Sequence, residues 1–91
     1  MADISIRPPH HMNHYEVKQQ VEELARTLKN KLRAEYQWQD DMLMFSRKHA
    51  LGYIKVSDEE VDIEVNLGLP LRPMKGSLEQ MMTAYLDKHL R

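Results

Sequence analysis

The run Glu35-Tyr36-Gln37-Trp38-Gln39-Asp40-Asp41-Met42-Leu43-Met44-Phe45-Ser46-Arg47 decides the fold. Polar and apolar residues alternate before Asp40-Asp41, and the apolar run Met42-Leu43-Met44-Phe45 follows it. Aspartates favour tight turns because their short carboxylates hydrogen-bond the nearby backbone. With that pair as the turn, Trp38 lies opposite Leu43 and Tyr36 opposite Phe45. All four side chains then share one face, and a slip of one residue would send them to the other.

The residues that follow extend the same face. A loop at Lys48 to Leu51 sets Phe45 opposite Ile54. A second loop, Ser57 to Glu60, sets Val56 opposite Val61 and Ile54 opposite Ile63. The prediction is a four-stranded antiparallel meander with strands near 35–39, 42–47, 52–57 and 61–67, dry on one side. The other side carries Gln37, Lys55, Asp62 and Glu64 together with Met42, Met44 and Tyr53. Arg47 belongs by parity to the inner face, at a strand end where its guanidinium reaches water.

Before the meander, Ile4 and Ile6 alternate in a short strand over 3–7, which Pro8 and Pro9 end. Asn13 is placed to cap a helix, with Glu16 three residues on. Val17, Val21, Leu24, Ala25, Leu28 and Leu32 then recur at helical spacing, predicting a helix over 14–33. Glu16, Glu22 and Glu23 come early and Lys29, Lys31 and Arg33 late, which complements the helix dipole. After the meander, Leu67 to Gly76 is a loop rich in apolar residues. Ser77 is the expected cap of a last helix, with Gln80 in the reciprocal position and an apolar stripe of Leu78, Met81, Met82, Tyr85, Leu86 and Leu90. The expected fold is α+β and spans 1–91 as a single domain: strand, helix, four-stranded meander, helix. Both helices pack on one face of a curved sheet, a reduced helix-grip-like arrangement.

The 91 residues are 42% hydrophobic and 30% charged, ordinary values for a soluble globular domain. The net charge of −1 gives no electrostatic case for nucleic acid as a partner. With no cysteine there is neither disulfide nor thiolate chemistry. No apolar run approaches the roughly 20 residues of a membrane-spanning helix. No secretory signal is visible at the start, so the expected location is cytoplasmic.

Catalytic chemistry finds little footing. His10, His11 and His14 form the one histidine cluster, but neither a carboxylate nor a cysteine beside them completes a metal site unless Asp3 or Glu16 joins. Solvated loop histidines are the simpler reading. Asp40-Asp41 and Asp58-Glu59-Glu60 fall in hairpin turns, which seldom supply the pocket a catalytic carboxylate needs. Three glycines do not build a phosphate-cradling loop. Tyr36, Trp38 and Phe45 interleave with aliphatic residues and read as core. The expectation is a protein that is not an enzyme and has no cofactor.

Two apolar surfaces stand out. Met42 and Met44 point outward near Tyr53, a soft patch suited to a partner, a second copy or an apolar surface, unless a strand edge or loop covers it. The Leu67 to Met74 loop, with Leu69, Leu71 and Met74, is either a plug for one end of the core or the mouth of a pocket.

Several segments carry a family resemblance: Met1-Ala2-Asp3-Ile4, Lys29-Asn30-Lys31-Leu32, Tyr36-x-Trp38 and Asp41-x-Leu43-x-Phe45. The most recognisable is Val65-x-Leu67-Gly68 through Leu71-Arg72-Pro73-x-Lys75-Gly76 and the closing helix. Together they resemble the small bacterial polyhydroxyalkanoic acid system proteins over essentially the whole chain. Met74 stands where the resemblance leads one to expect an aromatic residue. The resemblance implies association with polyhydroxyalkanoate synthesis and granule genes, and it carries over no catalytic residues.

These readings lead to two expectations. One is an accessory or interaction protein that contacts the granule or a granule-associated protein through Met42, Met44 and Tyr53, or through Leu69, Leu71 and Met74. The other is a carrier or sensor of a small apolar ligand, in a pocket lined by Trp38, Phe45, Ile63, Met81 and Tyr85. A homodimer through the methionine face is a minor third.

Overall fold

Residues 3–90 are described by a computed structural model. The chain runs β1 (Ile4–Ile6), α1 (His14–Leu32), β2 (Glu35–Gln39), β3 (Met42–Arg47), β4 (Ala50–Val56), β5 (Val61–Leu67), a 3-10 helix (Leu69–Met74) and α2 (Lys75–His89). Of the opening motif, Met1 and Ala2 lie outside the described residues. The strands form one antiparallel sheet in the order β1-β5-β4-β3-β2. The fold is α+β, in the expected sequence of elements.

Asp40 and Asp41 do make the first turn, with Trp38 opposite Leu43 and Tyr36 opposite Phe45. Asp40 adopts φ 54, a left-handed conformation that Asp tolerates better than most residues. The third hairpin also has the expected register, with Val56 opposite Val61 and Ile54 opposite Ile63. The second hairpin differs. Its turn is only Lys48-His49, with His49 at φ 69, and Arg47 pairs with Ala50. Phe45 therefore faces Gly52, and Leu43 faces Ile54. The shift is two residues, so every side chain keeps its face and the dry side survives. Its visible consequence is Leu51, which moves from a loop to the outer face of β4.

The short first strand pairs with β5, Ile4 opposite Val65 and Ile6 opposite Ile63. An Asp3 carboxylate oxygen accepts from the Leu67 backbone N–H at 2.7 Å and ties this edge down. Helix α1 contacts β2 and β4, and α2 contacts β1 and α1, so both helices cover the same face. One contiguous core results, built from Val17, Val21, Leu24 and Leu28 of α1, Leu78, Met82 and Leu86 of α2, and the inner residues of the sheet.

Helix α1 is capped as expected: the Asn13 side chain accepts from the Glu16 backbone N–H at 2.8 Å. The Glu16 carboxylate returns to the Asn13 side-chain amide and not to its backbone. At the other end Arg33 closes the helix at φ 56, ψ 33, in the left-handed region common at helix ends. Arg47 donates to the Leu32 carbonyl at 2.6 Å, placing a cation at the negative end of the helix.

The entry to α2 corrects the expectation at Ser77. The helix begins at Lys75, its N-terminal flank is Met74, and it has no side-chain cap. The chain arrives already turning, through a 3-10 helix that begins at Leu69 with Pro70 in its first turn and that contains Pro73. The Lys75 backbone N–H is satisfied by the Arg72 carbonyl. Ser77 lies inside the first turn of α2, exposed. The 3-10 segment is not a buried plug either, because none of its residues is buried and only Leu71 packs against the core.

Candidate functional site

The face of the sheet away from the helices carries three cross-strand rows. The central row runs Gln37, Met44, Tyr53, Glu64 and Ser5. On one side lies Glu35, Ser46, Leu51 and Asn66; on the other lies Gln39, Met42, Lys55 and Asp62. Met44 is 45% exposed and Leu51 57% exposed. Both line a shallow hollow of 470 Å³ with Gln37 and Ser46. Leu51 also borders a second hollow with Asn66 and Gly68, immediately before the 3-10 helix. Within that helix Leu69 is 78% exposed, and Met74 is exposed as well.

Met42 and Tyr53, expected beside Met44, are half-buried. Glu64, opposite Tyr53, holds that phenol above its ordinary range, through the hydroxyl–carboxylate interaction first and burial second. The apolar part of the outer face is thus Met44 with Leu51. The sequence reading missed Leu51 because it placed that residue in a turn.

The residues expected to line a ligand pocket fall in different surroundings. Phe45 and Ile63 belong to the closed core. The Phe45 ring lies so close over Gly52 that a Cβ built there would come within 2.6 Å of its Cζ. Met81 and Tyr85 are partly buried against the core. Trp38 is also partly buried, and its indole Nε1 donates to Glu22 Oε1 at 2.7 Å.

Glu22 is the organiser that sequence reading did not single out. Its other oxygen accepts from the Tyr36 hydroxyl. Burial pushes its carboxyl up, but the bonds from Tyr36 and Trp38 and the nearby Arg26 outweigh that and leave it below the usual range. The same bond to Glu22, and then burial, hold the Tyr36 phenol above its ordinary range. Lys18 Nζ lies 4.8 Å from the centre of the Trp38 ring. An open groove of 590 Å³ runs beside these residues, lined by Tyr15, Lys18, Gln19, Glu22, Arg26 and Trp38 among others.

The histidines separate. His10 is buried, where a solvated residue was expected. Its Nε2 lies 2.7 Å from the Ser57 carbonyl and must donate, since a carbonyl only accepts. Its Nδ1 accepts from the Met12 backbone N–H at 3.3 Å, which fixes the neutral Nε2–H tautomer. His10 thus latches the chain to the β4–β5 turn, and His11 remains exposed. His14 sits between the two acidic turns, 2.7 Å from Asp41 and 3.5 Å from Asp58. Among the described residues no group of three or more histidine or carboxylate side chains is placed to hold a metal ion.

The His14 contacts set a pH window. The hydrogen bond to Asp41 comes first among the causes that raise the His14 imidazole above 6.5, against opposing desolvation, and the charge of Asp58 adds to it. The bond to His14 likewise lowers Asp41. Lys18, 3.7 Å from Asp41, shares that carboxylate. The His14 contribution to stability is present in full below its unfolded pKa and is lost as pH rises through the raised value. The Asp41 contribution is present above its unfolded pKa and is lost as pH falls through the lowered value. In an NMR titration His14 is expected above the ordinary histidine midpoint, and Asp41→Asn moves it back down. An unchanged midpoint in that variant would show that the contact is not formed in solution.

The chain belongs to a family of small polyhydroxyalkanoic acid system proteins: residues 4–90 match the family model described as "Putative polyhydroxyalkanoic acid system protein". No curated protein and no solved structure matches it. Among the described residues no helix is long and apolar enough to cross a membrane.

Proposed function

We propose that this chain is a non-catalytic accessory protein of the polyhydroxyalkanoate system, acting in the cytoplasm, that contacts the granule or a granule-associated protein. The contact surface is the outer face of the sheet, centred on Met44 and Leu51, with Leu69 at its end. The observation that carries the reading is the exposure of Met44 and Leu51 side by side on a face that neither helix covers. Family membership supplies the context. Burying two such side chains contributes about 1.5–3 kcal/mol each before the costs of association. That suits reversible adsorption, and the polar residues around them keep the free protein soluble.

Flotation of granules from polymer-accumulating cells tests this reading. The tagged wild-type protein is expected in the granule layer, and Met44→Asp with Leu51→Asp in the soluble fraction. Circular dichroism should show both folded, because both side chains point away from the core. A wild-type protein found only in the soluble fraction would remove the granule from the account.

A further inference from the structure

The two edges of the sheet differ. β1 is three residues long and is followed by Pro8 and Pro9, a common way of blunting an edge. β2 is five residues, regular from Glu35 to Gln39, and has no proline, lysine or bulge. The two-residue turn makes Gln39 and Met42 the closing hydrogen-bonded pair. By alternation Gln37 and Glu35 also bond towards β3. Tyr36 and Trp38 then present backbone N–H and C=O groups outward, and among the described residues no hydrogen bond to them is formed from that side.

We infer that β2 is a docking edge for a second copy of this chain, pairing antiparallel with its own equivalent about a two-fold axis at Gln37. In that register Tyr36 of each copy exchanges both backbone hydrogen bonds with Trp38 of the other. The pattern is self-complementary. The two Gln37 amides meet on the outer face, and Tyr36 lies opposite Trp38 on the inner one, an aromatic cross-strand pair. Glu35 lies opposite Gln39, so no like charges are set against each other. The groove beside β2 does not oppose the approach either, because Lys18 and Arg26 balance Glu22 and Glu23 there. The product is a continuous ten-stranded sheet with all four helices on one side and two copies of the Met44–Leu51 surface on the other. Dimerisation is independent of the granule reading, since it is a property of the purified chain.

Light scattering and analytical ultracentrifugation on the purified full chain, over a range of concentrations, test this. The wild type is expected to reach twice the monomer mass. Gln37→Lys sets two ammonium groups together on the axis and should leave a monomer, as should Gln37→Glu with two carboxylates. An equimolar mixture of the two variants should recover the dimer, which a misfolded variant would not do. A wild type that stays monomeric at every concentration overturns the inference, even where some other chain adds to the strand. A dimer that Gln37→Lys leaves intact also overturns it and points to another face.

Discussion

Gly52→Ala is expected to cost about 2–3 kcal/mol, near the upper end of overpacking effects. Gly52 is buried in the central strand, with Phe45 opposite it. A Cβ there would lie 2.6 Å from the Glu64 backbone carbonyl oxygen and 2.6 Å from Phe45 Cζ. The ring has some freedom to tilt, but the carbonyl belongs to the ladder between β4 and β5 and has little. Gly76 is the control: nothing lies within 4 Å of a Cβ there, and it sits in the first turn of α2. Gly76→Ala should be neutral or stabilise by up to about 1 kcal/mol. Urea denaturation reads both, as a shift in midpoint at constant slope. A Gly52→Ala loss below about 0.5 kcal/mol would mean that Phe45 does not pack over this strand.

The second large effect separates neighbours on one strand. Ile54→Ala should cost about 3–4 kcal/mol, since Ile54 is fully buried between Leu43 and Ile63. Leu51→Ala, three residues earlier, should stay within about 0.5 kcal/mol because its side chain faces solvent. The pair therefore tests which face of β4 is turned to the core. A large loss at Leu51 would mean that β4 is turned over.

That hairpin also marks how far the sequence could be read. The Ser57 to Glu60 turn is bounded by clear alternation, the Asp40-Asp41 turn by alternation before it and an apolar run after it, and parity fixes which side chains go inward. The Lys48-His49 turn carries no such sign. His49 takes a positive φ with no glycine or asparagine to announce it, so a longer loop read equally well. Helix α1 was legible from its apolar spacing and its Asn13 cap. The start of α2 was not, because the 3-10 turn through Pro70 and Pro73 does the work a capping serine would otherwise do.

The sites were less legible than the fold. Glu22 reads in sequence as one charge among many on a helix surface. Its role appears only when β2 is laid beside α1 and brings Tyr36 and Trp38 to it. His10 becomes a buried latch only because β1 pairs with β5, which carries residue 10 to the Ser57 carbonyl. No local pattern encodes either meeting. Met44 was visible by parity alone, whereas Leu51 needed the true turn length.

Contact of the outer sheet face with the granule, as proposed, can be measured on purified components. The most direct measurement is sedimentation of purified protein with native granules and, separately, with granules stripped of protein. Wild type is expected to pellet with native granules, and the Met44→Asp, Leu51→Asp variant to stay in the supernatant while retaining the wild-type unfolding midpoint. Pelleting with stripped granules as well would make the polymer surface the partner, and pelleting with native granules alone a protein on it. A double variant that pellets as fully as wild type would mean that this face does not make the contact.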